Sequence, residues 1–411
     1  MVNDELNMVV PEDWNIKHLD DFGYIVSGGT PSTSVPSYWN GMIPWCTPTD
    51  ITGTEGIIIS KTEKCITEDG LKNSSADVLP SGSLLLCTRA TIGDSKINSI
   101  PMATNQGFKN VVPFKDTCIK YLYYLLQTKK REMLEKATAS TFAEISKSAL
   151  CEIPLQAPEK QEQEQIAQVL FDIDALITDL QKLIQKKKNI RQGTMQMQVT
   201  GKKRLDGFSG EWVKINLAKN SRLKARIGWQ GLTTAEYLDE GYSYLITGTD
   251  FKDGRIEWNG CHYVDYDRYA QDPNIQVSNG DLLLTKDGTI GKVAFVTDLK
   301  RPATLNSGVF LVKPITDAYT AHFMFYVLES SVFKDFLQQL SAGSTINHLY
   351  QKDLVKFDLF VPPTKEEQEA IAGILFDMDC DIHKLEEKLS KYQKVKQGMM
   401  EELLTGKVRL V

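Results

Sequence analysis

The residues with types and spacing suited to chemistry lie in short loops, and most of those loops occur twice. Ser27-Gly-Gly-Thr-Pro-Ser32 mixes glycines with hydroxyls, and Ser27 and Thr30 lead it. Such a loop lets backbone N–H groups approach a phosphate, or makes a plain surface turn. Thr88-Arg89-Ala90-Thr91 and Thr285-Lys286-Asp287-Gly288-Thr289 each follow an apolar run. Arg89 or Lys286 is thereby set at a strand end, with Thr91 or Thr289 behind it, in reach of a phosphate or a base edge. The Gly-Thr-Ile-Gly portion reads more simply as a structural turn. Asn105-Gln106-Gly107, with Lys109 close behind, and Asn306-Ser307-Gly308 carry amides or hydroxyls, and an Asn or Gln amide can pair with adenine. Ser140-Thr141-Phe142 is echoed by Ser344-Thr345-Ile346. Arg226-Ile-Gly-Trp229-Gln230 is a further loop, although Trp229 also suits a core. Each motif is weak alone; recurrence at matching places gives them weight.

Motifs for catalysis are missing. There is no GxxxxGK[ST] loop, and Gly288-Thr-Ile-Gly291-Lys292 has the wrong spacing. Pro362-Pro363 lies between Val361 and Thr364, so it makes no Asp/Asn-Pro-Pro-aromatic stretch of the amino-methyltransferase kind. No HExxH, GxSxG or Cys/His metal spacing occurs. The five histidines are isolated and read as surface or core residues. Seven scattered cysteines without a CxxC pair read as reduced thiols of a cytoplasmic protein. The residues describe a binder with no catalytic site and no metal.

The elements that position the loops follow from length and pattern. With 411 residues the chain has room for two or three domains. Hydrophobic content of 42% and charged content of 24% fit an ordinary globular protein. No apolar run of about 18 residues suggests a membrane span, and the N-terminus lacks a signal-peptide pattern. The net charge of −6 argues against a nucleic-acid partner if taken alone. It is unevenly spread: −4 over residues 1–157, +3 over 158–205, −3 over 206–362 and −2 over 363–411. A field near a groove is local, so the total excludes nothing.

The chain is one unit written twice. Pro158–Leu205 and Pro363–Leu410 are identical at 22 of 48 positions. Gly82–Gly93 matches Gly280–Gly291, Thr49-Asp50 matches Thr249-Asp250, and Trp14 answers Trp212. Apolar residues at Ile371, Leu375, Met378, Ile382, Leu385, Leu389 and Tyr392 alternate steps of four and three, a coiled-coil seam. Ile166, Leu170, Ile173, Ile177, Leu180 and Ile184 hold the same phase. Thr200-Gly201 and Thr405-Gly406 suit helix ends, and Gly193 and Gly398 mark places for a bend. Each helix of about 40 residues is roughly 60 Å long.

The expected fold class is α+β: two sheet-rich domains joined by two long helices that form an antiparallel coiled coil, in a pseudo-two-fold repeat with neighbouring termini. The domain bounds are 1–157 and 206–362 for the heads, with helical segments at 158–205 and 363–411. Each head should carry β-runs such as Leu84–Leu86 or Val309–Val312 and one helical stretch, near Ile119–Lys136 or Tyr319–Leu340.

Two variable heads, two near-constant helical segments ending in TGK-x-RL, and paired GDLLLT-like and TIG motifs resemble the specificity (S) subunit of type I restriction–modification systems. The resemblance covers essentially the whole chain. It implies that each head is a target recognition domain reading one half of a bipartite double-stranded DNA sequence. It implies that the helices fix the spacer and dock two methyltransferase (M) subunits, with restriction (R) subunits added. S-adenosylmethionine, ATP and Mg2+ would then belong to the partners, with no cofactor on this chain, and the subunit itself would not be catalytic. Two other readings compete: a self-sufficient DNA methyltransferase or nuclease, and a coiled-coil scaffold between protein-binding heads. Self-association of the isolated chain through apolar helix seams is a further expectation.

Overall fold

The computed structural model describes residues 11–137, 143–228, 231–341 and 348–410. The chain forms two compact units, Met1–Ile184 with Leu385–Val411, and Gln185–Lys384. Each therefore takes part of both long helices.

In the first unit a five-stranded sheet runs in the order Gly23–Ser27, Lys109–Pro113, Leu84–Leu86, Ser95–Asn98, Ile58–Ile59. A three-stranded sheet holds Lys64–Ile66, Trp39–Cys46 and Ala103–Thr104. Leu84-Leu85-Leu86 shows why the apolar run is continuous. Leu84 and Leu86 face one core, with Tyr121, Leu122 and Leu125 of the helix Ile119–Thr128. Leu85 faces the other, with Ile59, Met102 and Phe108. Successive strand side chains point to opposite faces, so a strand buried on both sides has no polar positions.

The second unit repeats the scheme. One four-stranded sheet runs Ser221–Lys224, Val309–Pro314, Leu282–Thr285, Val293–Phe295. The other runs His262–Val264, Ser243–Ile246, Ala303–Leu305, Gln276–Val277. Leu282 and Leu284 face a core with Phe323 and Tyr326 of the helix Ala321–Glu329, and Leu283 faces a second core with Ile246 and Leu305. The helical stretch expected in each head is present but broken in two, at Lys129 between Ile119–Thr128 and Lys130–Glu135, and at Ser330 between Ala321–Glu329 and Ser331–Leu340.

The long helices are Lys160–Gln198 and Lys365–Leu403, 39 residues each and offset by the sequence repeat. Neither is interrupted at Gly193 or Gly398. Both end at a left-handed glycine, Gly201 at φ 68° and Gly406 at φ 72°. Within the first unit they pack antiparallel: Ile166 and Leu170 share a core with Leu403 and Leu404, and Lys396 reaches Asp174 at 2.6 Å. Within the second unit Met195 and Val199 share a core with Ile371 and Leu375, and Lys187 reaches Asp381 at 3.0 Å. The heptad seam is buried at Ile166, Leu170, Ile177, Leu180, Ile184, Ile371, Leu375 and Ile382, and half-buried at Ile173, Met378, Leu385, Leu389 and Tyr392. A second apolar row on the first helix, Leu176, Leu183, Ile190 and Met197, repeats every seven residues and is exposed. Among the described residues no helix is long and apolar enough to cross a membrane.

Candidate nucleic-acid interface

The duplicated loops converge at one end of each sheet body. In the first head the strand Leu84–Leu86 runs out into Thr88, whose N–H donates to Gly107 O at 2.8 Å and whose carbonyl accepts from Ile145 N at 3.1 Å. Asn105 N donates to Cys46 O at 3.1 Å, and Gly29 N to Thr104 O at 2.9 Å. Gly28 sits so close to this turn that a Cβ there would lie 1.9 Å from Asn105 O. Thr30 Oγ1 bonds to Gln106 Oε1. Five segments distant in sequence thus form one surface.

The second head uses the same bonds. Lys286 N donates to Gly308 O at 2.9 Å, Leu349 N to Lys286 O at 2.8 Å, and Asn306 N to Ile246 O at 2.9 Å. The glycine of the first head has no counterpart. Buried Arg226 fills the corresponding space, donating from Nε to Leu305 O at 2.9 Å and from Nη2 to Thr304 Oγ1 at 3.3 Å. Burial, and then the neighbouring Arg268, pulls its pKa down. Thr47 with Asp50 and Thr247 with Asp250 form the same reciprocal cap beside each surface. Burial pushes the Asp250 carboxyl up.

The expected contact residues meet this geometry unevenly. Ser27 is exposed and pairs across the sheet with Lys109, which is half-buried. Arg89 lies at the strand end as expected and pairs with Glu144, Nη2 to Oε2 at 2.6 Å. Lys286 was the expected basic counterpart, but it aligns with Thr88 and lays its ammonium 5.4 Å over the Phe310 ring. Asp287 occupies the position of Arg89. The amides are also partly committed. Asn105 Oδ1 accepts from Gly107 N at 2.9 Å, and Asn306 Oδ1 accepts from Ser307 N at 2.6 Å. Asn306 Nδ2 donates to Tyr237 OH at 2.7 Å. Both Oδ1 lone pairs and one Nδ2 hydrogen of Asn306 are engaged, whereas the Gly107 N–H takes one Oδ1 lone pair of Asn105; the exposed amide of the first head's turn is Gln106. Ser307 Oγ donates to Asn306 Oδ1 at 3.3 Å. Thr289 is exposed and its carbonyl accepts from Thr285 Oγ1 at 2.6 Å, while Thr91 Oγ1 is buried without a hydrogen-bond partner. Gly288 and Gly291 are left-handed, so Gly-Thr-Ile-Gly is a structural turn. Trp229, Gln230 and Thr345 lie outside the described residues.

Glu144, His348 and Tyr237 belong to these surfaces and were not singled out as contacts from sequence, whereas Arg226, which opens a candidate loop in the sequence, is buried beneath one. Glu144-Ile145 and His348-Leu349 stand at matching places after the Ser-Thr echo, and that register was the available signal.

The other chemistry is quiet. Among the described residues no group of three or more His, Cys, Asp or Glu could hold a metal ion. Burial pushes the Cys87 and Cys261 thiols up to about 12, far from a reactive thiolate.

Residues 11–192 and 232–393 each match the type I restriction modification DNA specificity domain. The chain belongs to the type I restriction–modification DNA specificity family. A Methanocaldococcus jannaschii protein, the type I restriction enzyme MjaIX specificity subunit, is 42% identical over 175 residues, which are 42% of this chain and 40% of that relative. The MjaVIII specificity subunit of the same organism is 25% identical over 98% of this chain and 94% of its own length. The fold resembles the crystal structure of a type I restriction–modification S subunit from M. genitalium, with TM-score 0.63 and 15% identity over 97% of both chains. It also resembles a chain solved in a study of complex assembly and conformational transition of the type I system, with TM-score 0.55 and 14% identity over 97% of this chain and 99% of that one. Two specificity domains and two long helices are therefore the family's organisation in this chain, and its role is DNA sequence specificity. Neither the self-sufficient enzyme nor the protein scaffold gains support.

Proposed function

We propose that each head reads one half of a two-part double-stranded DNA target, and that the long helices set the gap between the halves. The observation that carries this reading is the recurrence of one loop surface, held by the same backbone bonds, in two heads whose loop residues differ. A common scaffold with different reading groups is what two different half-sites require. A helix of 39 residues extends roughly 58 Å. Half-sites on one face of the duplex are about 34–36 Å apart per helical turn, a distance that rigid helices can hold and a flexible linker cannot.

The chain is non-catalytic in this reading and binds no cofactor. Methyltransferase subunits, with S-adenosylmethionine, dock on the helices, and restriction subunits bring ATP and Mg2+. The exposed row Leu176, Leu183, Ile190 and Met197 supports helix docking, because it places one apolar side chain per heptad along one face of the helix. The net charge of −6 fits a chain whose partners supply much of the phosphate clamp. The alternative occupant of the row is a second copy of the chain.

The test is exchange of residues 11–157 for the corresponding head of a relative, in the full chain with its methyltransferase subunits. One half of the modified DNA sequence should change while the gap and the other half stay. A change in both halves, or in neither, contradicts the reading.

A further inference from the structure

The two heads hold opposite charges at the same place. Arg89 and Asp287 each stand beside the Asn-x-Gly turn: a Cβ on Gly107 would lie 3.7 Å from Arg89 Cβ, and one on Gly308 would lie 3.6 Å from Asp287 Cβ. The next residue is left-handed in both, Ala90 at φ 58° and Gly288 at φ 68°. Each forms an isolated antiparallel bridge, Arg89 with Glu144 and Asp287 with His348. Across that bridge Arg89 Nη2 ion-pairs with Glu144 Oε2, and Asp287 Oδ1 lies against His348 Nδ1. The first head thus puts a cation on the strand end with a carboxylate opposite, and the second head puts a carboxylate on the strand end with an imidazole opposite. All four side chains are partly open, between 30% and 43% exposed.

An open ion pair contributes little to stability, so a better ligand can replace it. The partner residue shows what that ligand must offer. Glu144 gives Arg89 carboxylate oxygens, as guanine gives O6 and N7 in the major groove. Asp287 Oδ1 lies against the His348 ring nitrogen but is buried without a hydrogen-bond partner, so the ligand it lacks is an N–H donor, such as the N4 amino group of cytosine or the N6 of adenine. A carboxylate facing guanine O6 and N7 or thymine O4 would set acceptor against acceptor, so Asp287 also rejects.

We propose that Arg89 and Asp287 determine the specificity of the two heads: Arg89 demands a guanine in one half-site, Asp287 demands a base with a major-groove amino group in the other, and Glu144 and His348 hold these places until DNA displaces them. The proposal rests on the reading of the loop surfaces as the DNA-reading faces. It follows from the inversion of charge at one structural position.

The test is selection from a randomised duplex library by the full chain with its methyltransferase subunits. Wild type is compared with Arg89→Ala, Arg89→Lys and Asp287→Asn. Arg89→Ala should relax discrimination at one guanine position by on the order of 10- to 100-fold and leave the other half-site unchanged. Arg89→Lys keeps the charge but loses the two-pronged fork, so it should bind with weaker preference at that same position; this separates lost reading from lost folding. Asp287→Asn should relax one cytosine or adenine position in the other half, and the base selected by the wild type identifies the donor. A two-part wild-type motif that none of the three substitutions alters overturns the proposal alone, as does a base other than guanine at the position governed by Arg89. A wild-type complex that selects no two-part motif overturns the proposal and the reading beneath it.

Discussion

Arg409 and Glu162 are joined by a two-pronged ion pair, Nε to Oε1 at 2.7 Å and Nη2 to Oε2 at 2.8 Å. Arg204 and Glu367 repeat it at 2.8 and 2.6 Å. The arginine that ends one helical repeat grips the glutamate that opens the other. Trp14 Nε1 also donates to Glu162, and Asp13 takes the other face of Arg409. The Glu162 and Glu367 side chains are almost fully enclosed. This explains why TGK-x-RL and the helix-opening Glu recur together: each half supplies one partner.

Arg409→Met should therefore lower the melting temperature by several degrees, because it strands an enclosed carboxylate. Arg409→Lys should recover only part, since an ammonium cannot reproduce the fork. Glu162→Gln should cost less than Arg409→Met. Thermal unfolding followed by circular dichroism checks the order.

A second pair of equivalents ties head to helix. Asp379 accepts from Arg191 Nε at 2.8 Å and from Tyr326 OH at 3.0 Å. Asp174 accepts from Tyr124 OH at 2.8 Å and meets Lys396 at 2.6 Å. Burial, then the aspartate, pushes both tyrosine hydroxyls up, so they stay protonated donors. Asp379→Ala should destabilise by about 1–3 kcal/mol, below the cost of breaking a fully buried pair because Arg191 keeps Glu329. Urea unfolding measures it, and a change under about 0.5 kcal/mol, the scale of an ordinary surface substitution, contradicts the role.

The second head has an acid-sensitive corner. Glu236 is held down at about 2 by the Thr233 N–H, then the Thr233 hydroxyl, then Arg268. A carboxyl depressed in the folded state stabilises fully above its unfolded value of 4.5, and the benefit disappears as pH falls towards 2. Glu236→Gln should be less stable than wild type at neutral pH, and the difference should close as pH falls through this window. A difference that persists unchanged at the acid end contradicts this.

The part of this account that the sequence shows plainly is local. Ile371, Leu375, Met378 and Ile382 announce a helix by spacing alone, and Leu84–Leu86 announces a buried strand. The surfaces depend on contacts across many residues. Glu144 meets Arg89 only after the sheet has formed, and Asp287 replaces Arg89 only through a one-residue shift from the basic residue that sequence favours. Arg226 looks like a loop cation, but it is buried because the second head needs a guanidinium where the first packs Gly28. The Arg204–Glu367 pair was hidden because repeats align each residue with its copy and do not show partners taken from opposite copies.

Insertion of one heptad in each long helix, at matching heights, should lengthen the DNA gap. Seven residues add roughly 10 Å, or about three base pairs at 3.4 Å each. Methylated-motif sequencing reads the gap directly, and an unchanged gap contradicts the spacing role of the helices.

The most direct measurement is single-molecule mapping of methylated adenines in DNA from a methylation-free host that carries this chain with the methyltransferase subunit proposed to dock on it. The account predicts one two-part motif with a fixed gap, one half of which follows the first head and the other the second. A soluble complex that leaves a single continuous motif, or none, would contradict it.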